Sequence, residues 1–469
     1  LLFAWHYERQ QDLKLICDLG ISKIRYPILW EKHQPDPKQQ PIWTMEDNLN
    51  YLKSRNIEII AGLVHHGSGP KYAPILSEKF ASGLANYAEK VAEKFPWINE
   101  YTPINEPLTT ARFCGLYGFW HPHHKNDTSF LQILINQCKG TILAMQAIKK
   151  INPNAKLIQT EDLAKTHSTS KLKTQANFEN QRRWLSMDLL CGKVIPQHPL
   201  WKRFKRAGIE SQLKFFIENP LPPDVLGFNY YITSERFIDE NLSLYPPQTH
   251  GGNSKIKYAD IEVVRTKKAK LAGPKNLLEE AWNRYKLPIA ITEAHLHCGR
   301  EEQLRWLNYI WKSAKKLEAE GVKILSVTIW SMLGAYGWDK LLTKNKGKYE
   351  SGAFDLSMGT PRPTALTQQI VHFVNDIPYN HPILQSDGWW EKPTRLIYGH
   401  QIYSNPKTKL NTNVAPVLII GANGTLGSAF TKLCTSRGIT YQALTRNEVD
   451  FTDPKQIEAI INKYKPWAC

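Results

Sequence analysis

The chain has 469 residues and a mass of 53.9 kDa, with 42% hydrophobic and 22% charged residues. This length excludes a minimal binding module, and the content of core-forming residues excludes a largely disordered chain. We therefore expect two or three domains, or one barrel with an addition. No apolar run reaches the roughly 18 residues that a membrane span requires, so we expect no membrane partner.

The charge and the cysteines narrow the possible partners and compartments. The 60 lysines and arginines against 43 acidic residues give a net charge of +17. These basic residues are spread out, and no zinc-finger, RNA-recognition or basic-zipper pattern accompanies them, so we expect no nucleic-acid partner. The seven cysteines form no CxxC pair, which favours a reducing cytoplasm over a disulfide framework. The first residues lack the features of a secretory signal, and we expect the true start to lie before Leu1.

Seven short β-branched or apolar runs alternate with longer amphipathic stretches, a pattern typical of repeated β–α units. The predicted strands are 24–29, 57–64, 100–105, 156–161, 225–231, 288–293 and 324–330. Helical periodicity is clearest over 84–95, 131–151 and 300–321. A helix-like stretch opens the chain with no strand before it. We therefore expect an α/β fold in which residues 1–380 form a (β/α)8 TIM barrel that lacks its first strand.

The pattern changes twice after the barrel. Residues 381–413 show no clear periodicity and are predicted to be a linker. Residues 414–469 begin a new unit, with an apolar strand, a glycine-rich turn, a helix and a second strand. This order predicts the first part of a Rossmann-type NAD(P)-binding domain that is cut short.

Catalytic residues of such a barrel lie at the carboxyl ends of its strands, where two glutamates are found. Glu106 ends the segment TPINEP, and Glu293 ends the strand in AITEAH. Hydrolysis of a glycosidic bond needs one carboxyl group to protonate the leaving oxygen and another to stabilise or capture the anomeric carbon. A separation of about 5 to 5.5 Å would retain the anomeric configuration, and one of about 6.5 to 9.5 Å would invert it.

Several motifs together resemble glycoside hydrolase family 1, part of a clan of retaining (β/α)8 glycosidases. The motifs are GISKIRYPILWEKHQP, GLVHHG, TPINEP, YGFWHP, LGFNYYITS, ITEAH and IWS, in the order of the family. The resemblance implies that Glu106 is the general acid/base and Glu293 the nucleophile. It also implies a set of carbohydrate-binding side chains, namely Arg25, His65, Asn105, Asn229, Tyr231, Trp330 and Trp338.

Two departures from the family pattern affect specificity. The family has Glu-Asn-Gly at the nucleophile, where this chain has Glu293, Ala294 and His295. The family also has a Glu-Trp pair that binds the sugar 4- and 6-hydroxyls, where this chain has Gly337 and Trp338. Each charge-assisted hydrogen bond lost in this way is worth about 1.5 to 3 kcal/mol. An ordinary glucoside specificity is therefore not expected.

Two further polar groups have open interpretations. Glu161 and Asp162 follow the predicted strand 156–161 and are either additional polar wall residues of the site or caps of a helix start. The segment HLHC, with His295, His297 and Cys298, lacks zinc-site spacing, so no metal is assigned.

The carboxyl-terminal unit carries a GxxGxxG turn directly after its apolar strand. Glycines allow the backbone to approach a pyrophosphate, and the helix amino end offers free N–H groups. The unit resembles dTDP-4-dehydrorhamnose reductase and other extended short-chain dehydrogenases. The cofactor-binding residues predicted here are Gly421, Asn423, Gly424, Thr425, Leu426, Gly427, Arg446 and Asp450. Because the second strand ends in Thr445 and Arg446 rather than an acidic residue, NADP is at least as plausible as NAD.

The sequence thus predicts a bifunctional enzyme, in which a retaining, β-glycosidase-like hydrolase precedes part of an NAD(P)-dependent sugar-nucleotide reductase. The glycosidase would need no cofactor, and the complete reductase would act on a dTDP-sugar. In one alternative, the reductase is the main activity and the barrel only binds sugar or is vestigial. In another, the whole chain is a non-catalytic carbohydrate-binding scaffold.

Overall fold

The computed structural model describes residues 9–67, 69–253, 255–344, 347–398, 415–437 and 439–469. The chain divides into two compact units. The first comprises Leu1–His167, Lys173–Arg236 and Leu271–Lys392, and the second comprises Ser168–Leu172, Phe237–Lys270 and Pro393–Cys469. None of the helices in the described part of the chain combines the length and the apolar character needed to cross a bilayer.

The largest sheet has seven parallel strands in the order β1-β2-β3-β4-β6-β10-β11. In chain order the strands are β1 (Lys23–Pro27), β2 (Glu58–His65), β3 (Glu100–Asn105), β4 (Lys156–Asp162), β5 (Lys165–Ser168), β6 (Val225–Tyr230), β7 (Glu235–Asp239), β8 (His250–Gly252), β9 (Lys257–Glu262), β10 (Ile289–Ala294), β11 (Ile324–Ile329), β12 (Ala335–Tyr336), β13 (Tyr349–Glu350), β14 (Phe354–Asp355), β15 (Arg362–Pro363), β16 (Val417–Ile420) and β17 (Tyr441–Leu444). The seven predicted strands are confirmed as members of this sheet. A four-stranded sheet, in the order β5-β7-β9-β8, was not predicted.

Helices separate most strands of the large sheet. They are α1 (Gln10–Cys17), α2 (Trp30–His33), α3 (Glu46–Ser54), α4 (Lys79–Lys94), α5 (Pro107–Ala111), α6 (Asp127–Ile151), α7 (Lys173–Arg182), α8 (Leu185–Leu190), α9 (Trp201–Arg206), α10 (Leu213–Glu218), α11 (Gly273–Tyr285), α12 (Arg300–Ala319), α13 (Ala365–Val374), α14 (Thr425–Arg437) and α15 (Pro454–Tyr464). A π-helical turn, Arg112–Leu116, continues α5. Parallel strands with intervening helices give the TIM-barrel-like fold that the sequence predicts.

Burial explains why β6 and β10 are mostly apolar. Every residue of β6 and β10 is buried, as expected for strands covered on both faces. The helices are instead apolar on one side only. In α4, for example, Leu84, Ala88 and Val91 are buried at helical spacing. Because the parallel strands end at one edge of the sheet, their terminal polar residues are brought together there.

The first part of the predicted linker packs in the first unit. Trp390 is buried, with its ring 5.0 Å from that of Trp306 and nearly perpendicular to it. The Arg305 guanidinium donates to the Ile383 carbonyl oxygen at 3.0 Å and to the Ser386 hydroxyl at 2.8 Å. Residues 399–414, which include the end of the predicted linker and its boundary at 414, lie outside the described residues.

The carboxyl-terminal segment has the predicted strand–turn–helix–strand order. β16 pairs in parallel with β17, and α14 connects them. A small core of Leu418, Leu444 and Val449 lies beneath this pair. The strand pair and the connecting helix place the glycine turn at the carboxyl end of β16.

We expect Gly227 to be the glycine of the sheet that least tolerates a side chain. A Cβ atom there would lie 2.8 Å from Thr292 Cγ2 and 3.0 Å from the Gln159 carbonyl oxygen, whereas one at Gly62 would meet only the Tyr26 carbonyl oxygen, at 3.8 Å. Gly227→Ala should therefore lower the free energy of unfolding by about 1 to 3 kcal/mol. Urea denaturation would measure this, with Gly62→Ala as the matched strand control. Equal effects of the two substitutions would contradict the crowding at Gly227.

Candidate active site

The two predicted catalytic glutamates lie at the same edge of the sheet. Glu106 directly follows β3, and Glu293 is the fifth residue of β10. In the sheet, β4 and β6 separate these strands. Both side chains are buried, with 5% of Glu106 and 3% of Glu293 exposed. A shared set of polar side chains, described below, connects them.

Local backbone geometry turns Glu106 away from its strand. Its φ of 46° lies in the left-handed region, which a non-glycine residue occupies at an energetic cost. The Glu106 N–H donates to the Thr160 carbonyl oxygen of β4 at 3.2 Å, and Pro107 then begins α5. Proline suits this first helical position because its missing N–H would have had no helical partner.

Two side chains hold the carboxylate of Glu293. The Arg25 Nη2 atom donates to Oε1 and forms an ion pair with it, and the Tyr231 hydroxyl donates to Oε2. Burial and the negative charges of Glu293 and Glu106 raise the pKa of Tyr231 well above its usual range. Tyr231 therefore remains a phenol that can donate this bond. Arg25 and Tyr231 therefore both contact Glu293 directly.

Glu106 has a different environment. Its Oε1 atom accepts a hydrogen bond from Asn229 Nδ2 at 2.8 Å, and the Thr292 hydroxyl fixes Asn229 by donating to its Oδ1 atom at 2.7 Å. Burial raises the pKa of Glu106 well above its usual value, and the charge of Glu293 raises it further. Glu106 is therefore suited to carry a proton at neutral pH, as a general acid must.

Asn105 connects the surroundings of the two glutamates. Its Oδ1 atom accepts from the Thr160 hydroxyl at 2.9 Å, from Arg25 Nη1 at 3.4 Å and from Asn229 Nδ2 at 3.5 Å. Its Nδ2 atom lies 3.1 Å from His66 Nε2. The predicted residues Arg25, Asn105 and Asn229 thus belong to one hydrogen-bonded network.

His66 was not predicted to belong to the site. Its Nε2 atom lies 3.7 Å from Glu106 Oε2. The predicted His65 is adjacent, with its ring centroid 4.7 Å from that of His66. Burial, followed by the charge of Arg25, lowers the pKa of His66 to about 3, so this imidazole is neutral near pH 7. The only sequence signal for His66 is its position beside His65 at a strand end.

Aromatic rings form another side of the site. Trp330 lies 6.2 Å from Tyr231 and 6.0 Å from Trp338, measured between ring centroids. Trp338 also approaches His66, at 5.5 Å. These contacts bring the predicted Trp330 and Trp338 together with the residues around both glutamates. Gly337 precedes Trp338 with a φ of 80°, a conformation that suits glycine and disfavours the glutamate of the family pattern.

The structure separates the two readings of Glu161 and Asp162. Glu161 is 1% exposed and accepts hydrogen bonds from the Leu108 N–H at 2.9 Å and the Ser186 hydroxyl at 2.8 Å. It therefore anchors the start of α5, the helix that follows Glu106. Asp162 accepts instead from the Ser234 hydroxyl, at 2.6 Å. Asp162 directly follows Glu161 in β4, so its side chain lies on the opposite face of the strand.

The two histidines that follow β10 lie close to one carboxylate. His295 Nε2 lies 3.2 Å from Glu350 Oε2, and His297 Nδ1 lies 3.7 Å from the same oxygen. The His295 ring also packs 5.2 Å from that of Trp330. Across the described parts of the chain, no three histidine, cysteine or acidic side chains are grouped so that they could hold a metal ion.

The carboxyl-terminal segment contains a cavity of about 660 Å³ at its glycine turn. Four predicted cofactor-binding residues line it, namely Gly421, Asn423, Gly424 and Arg446. Thr425, Leu426 and Gly427 lie in the first turn of α14, and the Leu426 side chain is 74% exposed. Asp450 lies outside the lining and accepts hydrogen bonds from Thr452. A Cβ atom on Gly427 would lie 2.2 Å from the Gly421 carbonyl oxygen, so this tight turn requires glycine.

Comparison with protein families identifies the barrel. The model of "Glycosyl hydrolase family 1" matches residues 4–349. The chain belongs to glycosyl hydrolase family 1. The model of "RmlD substrate binding domain" matches residues 415–469.

Individual relatives agree with this membership. The chain is 22% identical over 366 residues to beta-glucosidase A of Acetivibrio thermocellus, and this alignment covers 71% of the chain and 79% of the relative. It is 23% identical over 402 residues to a furostanol glycoside 26-O-beta-glucosidase of Hellenia speciosa, and that alignment covers 72% of the chain and 68% of the relative. The solved family 1 β-glucosidase of Thermotoga maritima has a TM-score of 0.65 and 17% identity, covering 80% and 88% of the two chains.

The glycosyl hydrolase family 1 match spans the barrel residues described above. It includes Arg25 at one end and Trp338 at the other, and it ends just before Glu350. Glu161, which anchors α5, lies within the match. The match also contains His295, whereas its partner Glu350 lies directly after it.

We expect Glu161 to make the barrel less stable as the pH rises from about 4.5 to about 7. Burial raises the pKa of Glu161 from 4.5 to about 7, so the folded state binds this proton more tightly than the unfolded state. The associated stability is complete below pH 4.5 and is lost as the pH rises through 7, by about 3 kcal/mol.

Thermal unfolding of the unsubstituted protein and of Glu161→Gln between pH 4.5 and 7.5 would measure this contribution. The melting temperature should fall less with rising pH in Glu161→Gln, because an amide does not titrate. Glu218→Gln, on an exposed helix position, is the control. Parallel curves for the unsubstituted protein and Glu161→Gln would contradict the prediction.

Proposed function

We propose that the barrel is a retaining β-glycosidase in which Glu106 is the general acid/base and Glu293 the nucleophile. The observation that carries this proposal is the contrast between the two buried glutamates. Glu293 is ion-paired with Arg25, whereas burial and the neighbouring charge favour the protonated form of Glu106. Hydrolysis of a glycosidic bond uses one carboxyl group as the proton donor and another to stabilise or capture the anomeric carbon.

The reaction then follows from the two environments. The Glu106 carboxylic acid protonates the glycosidic oxygen while Glu293 attacks the anomeric carbon, which forms a glycosyl ester and releases the leaving group. The Glu106 carboxylate next removes a proton from water, and the water oxygen displaces Glu293 from the anomeric carbon. Two displacements restore the original configuration. Asn229 remains hydrogen-bonded to Glu106 and fixes its orientation.

We propose that the sugar is held by Arg25, His65, Asn105, Asn229, Tyr231, Trp330 and Trp338. The amides of Asn105 and Asn229 supply hydrogen bonds, and the indole of Trp330 supplies an apolar surface for the sugar ring. The similarity to two β-glucosidases supports a β-glucoside-like substrate. Gly337 removes a carboxylate from the site, so we infer a weaker preference for the glucose 4- and 6-hydroxyls. No cofactor is assigned to this reaction.

The proposal includes the organisation of the chain. Residues 1–380 would form the (β/α)8 barrel, residues 381–413 a linker, and residues 414–469 a Rossmann-type NAD(P)-binding unit. The seven parallel strands and the β16-α14-β17 unit support this division. All seven cysteines are free thiols, which supports a cytoplasmic location.

A mechanism-based label would test the roles of both glutamates. We expect 2,4-dinitrophenyl 2-deoxy-2-fluoro-β-glucoside to form a stable ester on Glu293, detected by peptide mass spectrometry. Glu293→Gln should not be labelled. Glu106→Ala should still be labelled, because dinitrophenolate leaves without a proton, but it should lose about 100-fold or more of its rate on alkyl glucosides. Glu218→Gln serves as the folding and activity control.

The outcome separates the three interpretations of the barrel. Labelling of another residue, or hydrolysis with inversion, would contradict the proposed roles. Sugar binding without hydrolysis would instead favour a carbohydrate-binding barrel beside a reductase, or a non-catalytic scaffold if nucleotide binding were also absent.

We also propose an NAD(P)-binding function for the carboxyl-terminal segment, as the start of a dTDP-sugar reductase. The cavity lined by Gly421, Gly424 and Arg446 supports it, together with the family match over 415–469. Backbone N–H groups at the start of α14 suit a pyrophosphate, and the guanidinium suits a 2′-phosphate.

Nucleotide titration would test this second function. We expect NADPH to bind more tightly than NADH, as followed by the fluorescence of the reduced nicotinamide. Arg446→Ala should weaken NADPH binding by about tenfold, since a charge-assisted hydrogen bond is lost, and should leave NADH binding nearly unchanged. Lys432→Ala, elsewhere on the same segment, is the charge-matched control. Failure of both nucleotides to bind would contradict the proposal.

A further inference from the structure

Two side chains beside the strand of Glu293 form a hydrogen bond that the proposed reaction does not use. His295 directly follows β10, and its Nε2 atom lies 3.2 Å from Glu350 Oε2 in β13. The two side chains are only 8% and 7% exposed. A carboxylate oxygen accepts hydrogen bonds, so the imidazole donates from Nε2. Such an enclosed pair is costly to break, because the remaining group is then buried without its partner.

The His295 side chain packs against Trp330. The Trp330 N–H donates at 3.2 Å to the carbonyl oxygen of Ala294, the residue before His295. The His295 and Trp330 ring centroids lie 5.2 Å apart, with the rings inclined by 70° in an edge-to-face contact. This contact is shorter than those that Trp330 makes with Trp338, at 6.0 Å, and with Tyr231, at 6.2 Å. His295 therefore borders an aromatic ring that we assign to the sugar.

Glu350 belongs to the hairpin that carries Trp338. It lies in β13, which pairs with β12 in the antiparallel direction. The Gly337 N–H extends this pairing by donating to the Lys348 carbonyl oxygen at 3.1 Å, and Trp338 directly follows Gly337. The hydrogen bond from His295 to Glu350 thus connects the end of β10 to the segment that positions the second ring.

A small cavity adjoins Trp330 on the side of α12. Its volume is about 20 Å³, and its lining includes His295 and Trp330 together with Trp306 and Leu307 of α12. A cavity of this size is about as large as one water molecule. Because the Trp330 ring is not fully packed on this side, its contact with His295 has more weight in fixing its position.

We propose that His295 and Glu350 are positioning residues that fix Trp330 and Trp338 in the sugar site. His295 packs against one ring, and its hydrogen bond to Glu350 ties it to the hairpin of the other. His295 stands where the family pattern has a glycine, which could make neither contact. This inference rests on the proposed glycosidase function and deepens it, because it names residues that determine how the sugar fits.

The kinetic constants distinguish positioning from a merely structural role. The tryptophan rings contact the sugar both before and during the reaction, so a displaced ring weakens the binding of substrate and transition state alike. Such a change raises KM and leaves kcat nearly unchanged. A variant that is partly unfolded instead has fewer active molecules, which lowers the apparent kcat and leaves KM unchanged.

We expect His295→Phe and Glu350→Ala each to raise KM for 4-nitrophenyl β-glucoside about threefold to tenfold, the effect of weakened aromatic contacts. The inhibition constant of deoxynojirimycin should rise by a similar factor, with kcat changed by less than about twofold. The double variant should be no weaker than either single variant, because both remove the same contact. Glu350→Gln keeps an accepting oxygen and should retain a nearly normal KM. Glu93→Ala, at an exposed position of α4, is the control.

Unchanged KM and inhibition constants in His295→Phe and Glu350→Ala would overturn the inference, as would a loss confined to kcat. Equal effects of Glu350→Gln and Glu350→Ala would also contradict it, since the accepting oxygen would then not matter. If either His295→Phe or Glu350→Ala does not fold, the other carries the test.

Failure of the proposed function gives a different result. The unsubstituted protein would then neither hydrolyse the glucoside nor react with the fluoroglucoside. Calorimetric titration with deoxynojirimycin would still test the two positioning residues, since binding should weaken about threefold to tenfold in His295→Phe and Glu350→Ala. Absence of binding to the unsubstituted protein would overturn the positioning role together with the function.

Discussion

The site depends on the burial of several carboxyl groups at neighbouring strand ends. Burial alone disfavours a charged carboxylate, and two negative charges in one cavity also repel each other. For Glu106, Glu161 and Asp162 these effects raise the pKa. Glu293 is the carboxyl group that Arg25 pairs with directly. The position of one guanidinium therefore gives the two buried glutamates different electrostatic environments.

Neutral side chains make this arrangement possible. The amides of Asn105 and Asn229 donate to and accept from the same network without adding charge. His66 lies near Glu106 but is kept neutral by burial and by Arg25, so it does not compete as a second cation. A protonated His66 would stabilise the Glu106 carboxylate and oppose its role as an acid. The uncharged amides and the neutral imidazole thus leave Arg25 as the cation that pairs with Glu293.

Much of the barrel could be predicted because its signals are local. Apolar and β-branched runs marked the seven strands of the large sheet, and the strand-end rule indicated Glu106 and Glu293. This rule did not indicate His66, and for Glu161 the sequence left open whether the side chain lines the site or caps a helix. Their roles depend on contacts with residues 40 and 53 positions away in the chain, Glu106 and Leu108. The sheet of β5, β7, β8 and β9 was missed because its strands are short and lie in long connections between helices.

The cavity at the glycine turn is formed by different kinds of groups from the barrel site. Its shape is set by glycines and backbone groups, since Gly421 has a left-handed φ of 78° and Gly427 leaves no room for a side chain. A short motif can therefore indicate such a cavity directly. In the barrel, by contrast, specificity lies in side chains that several strands contribute, and one replacement can change it while the fold remains. Gly337 stands where the family pattern has a glutamate, and the seven parallel strands of the sheet are present with this replacement. We therefore expect the selectivity of the barrel to depend on individual side chains at the strand ends rather than on its family membership.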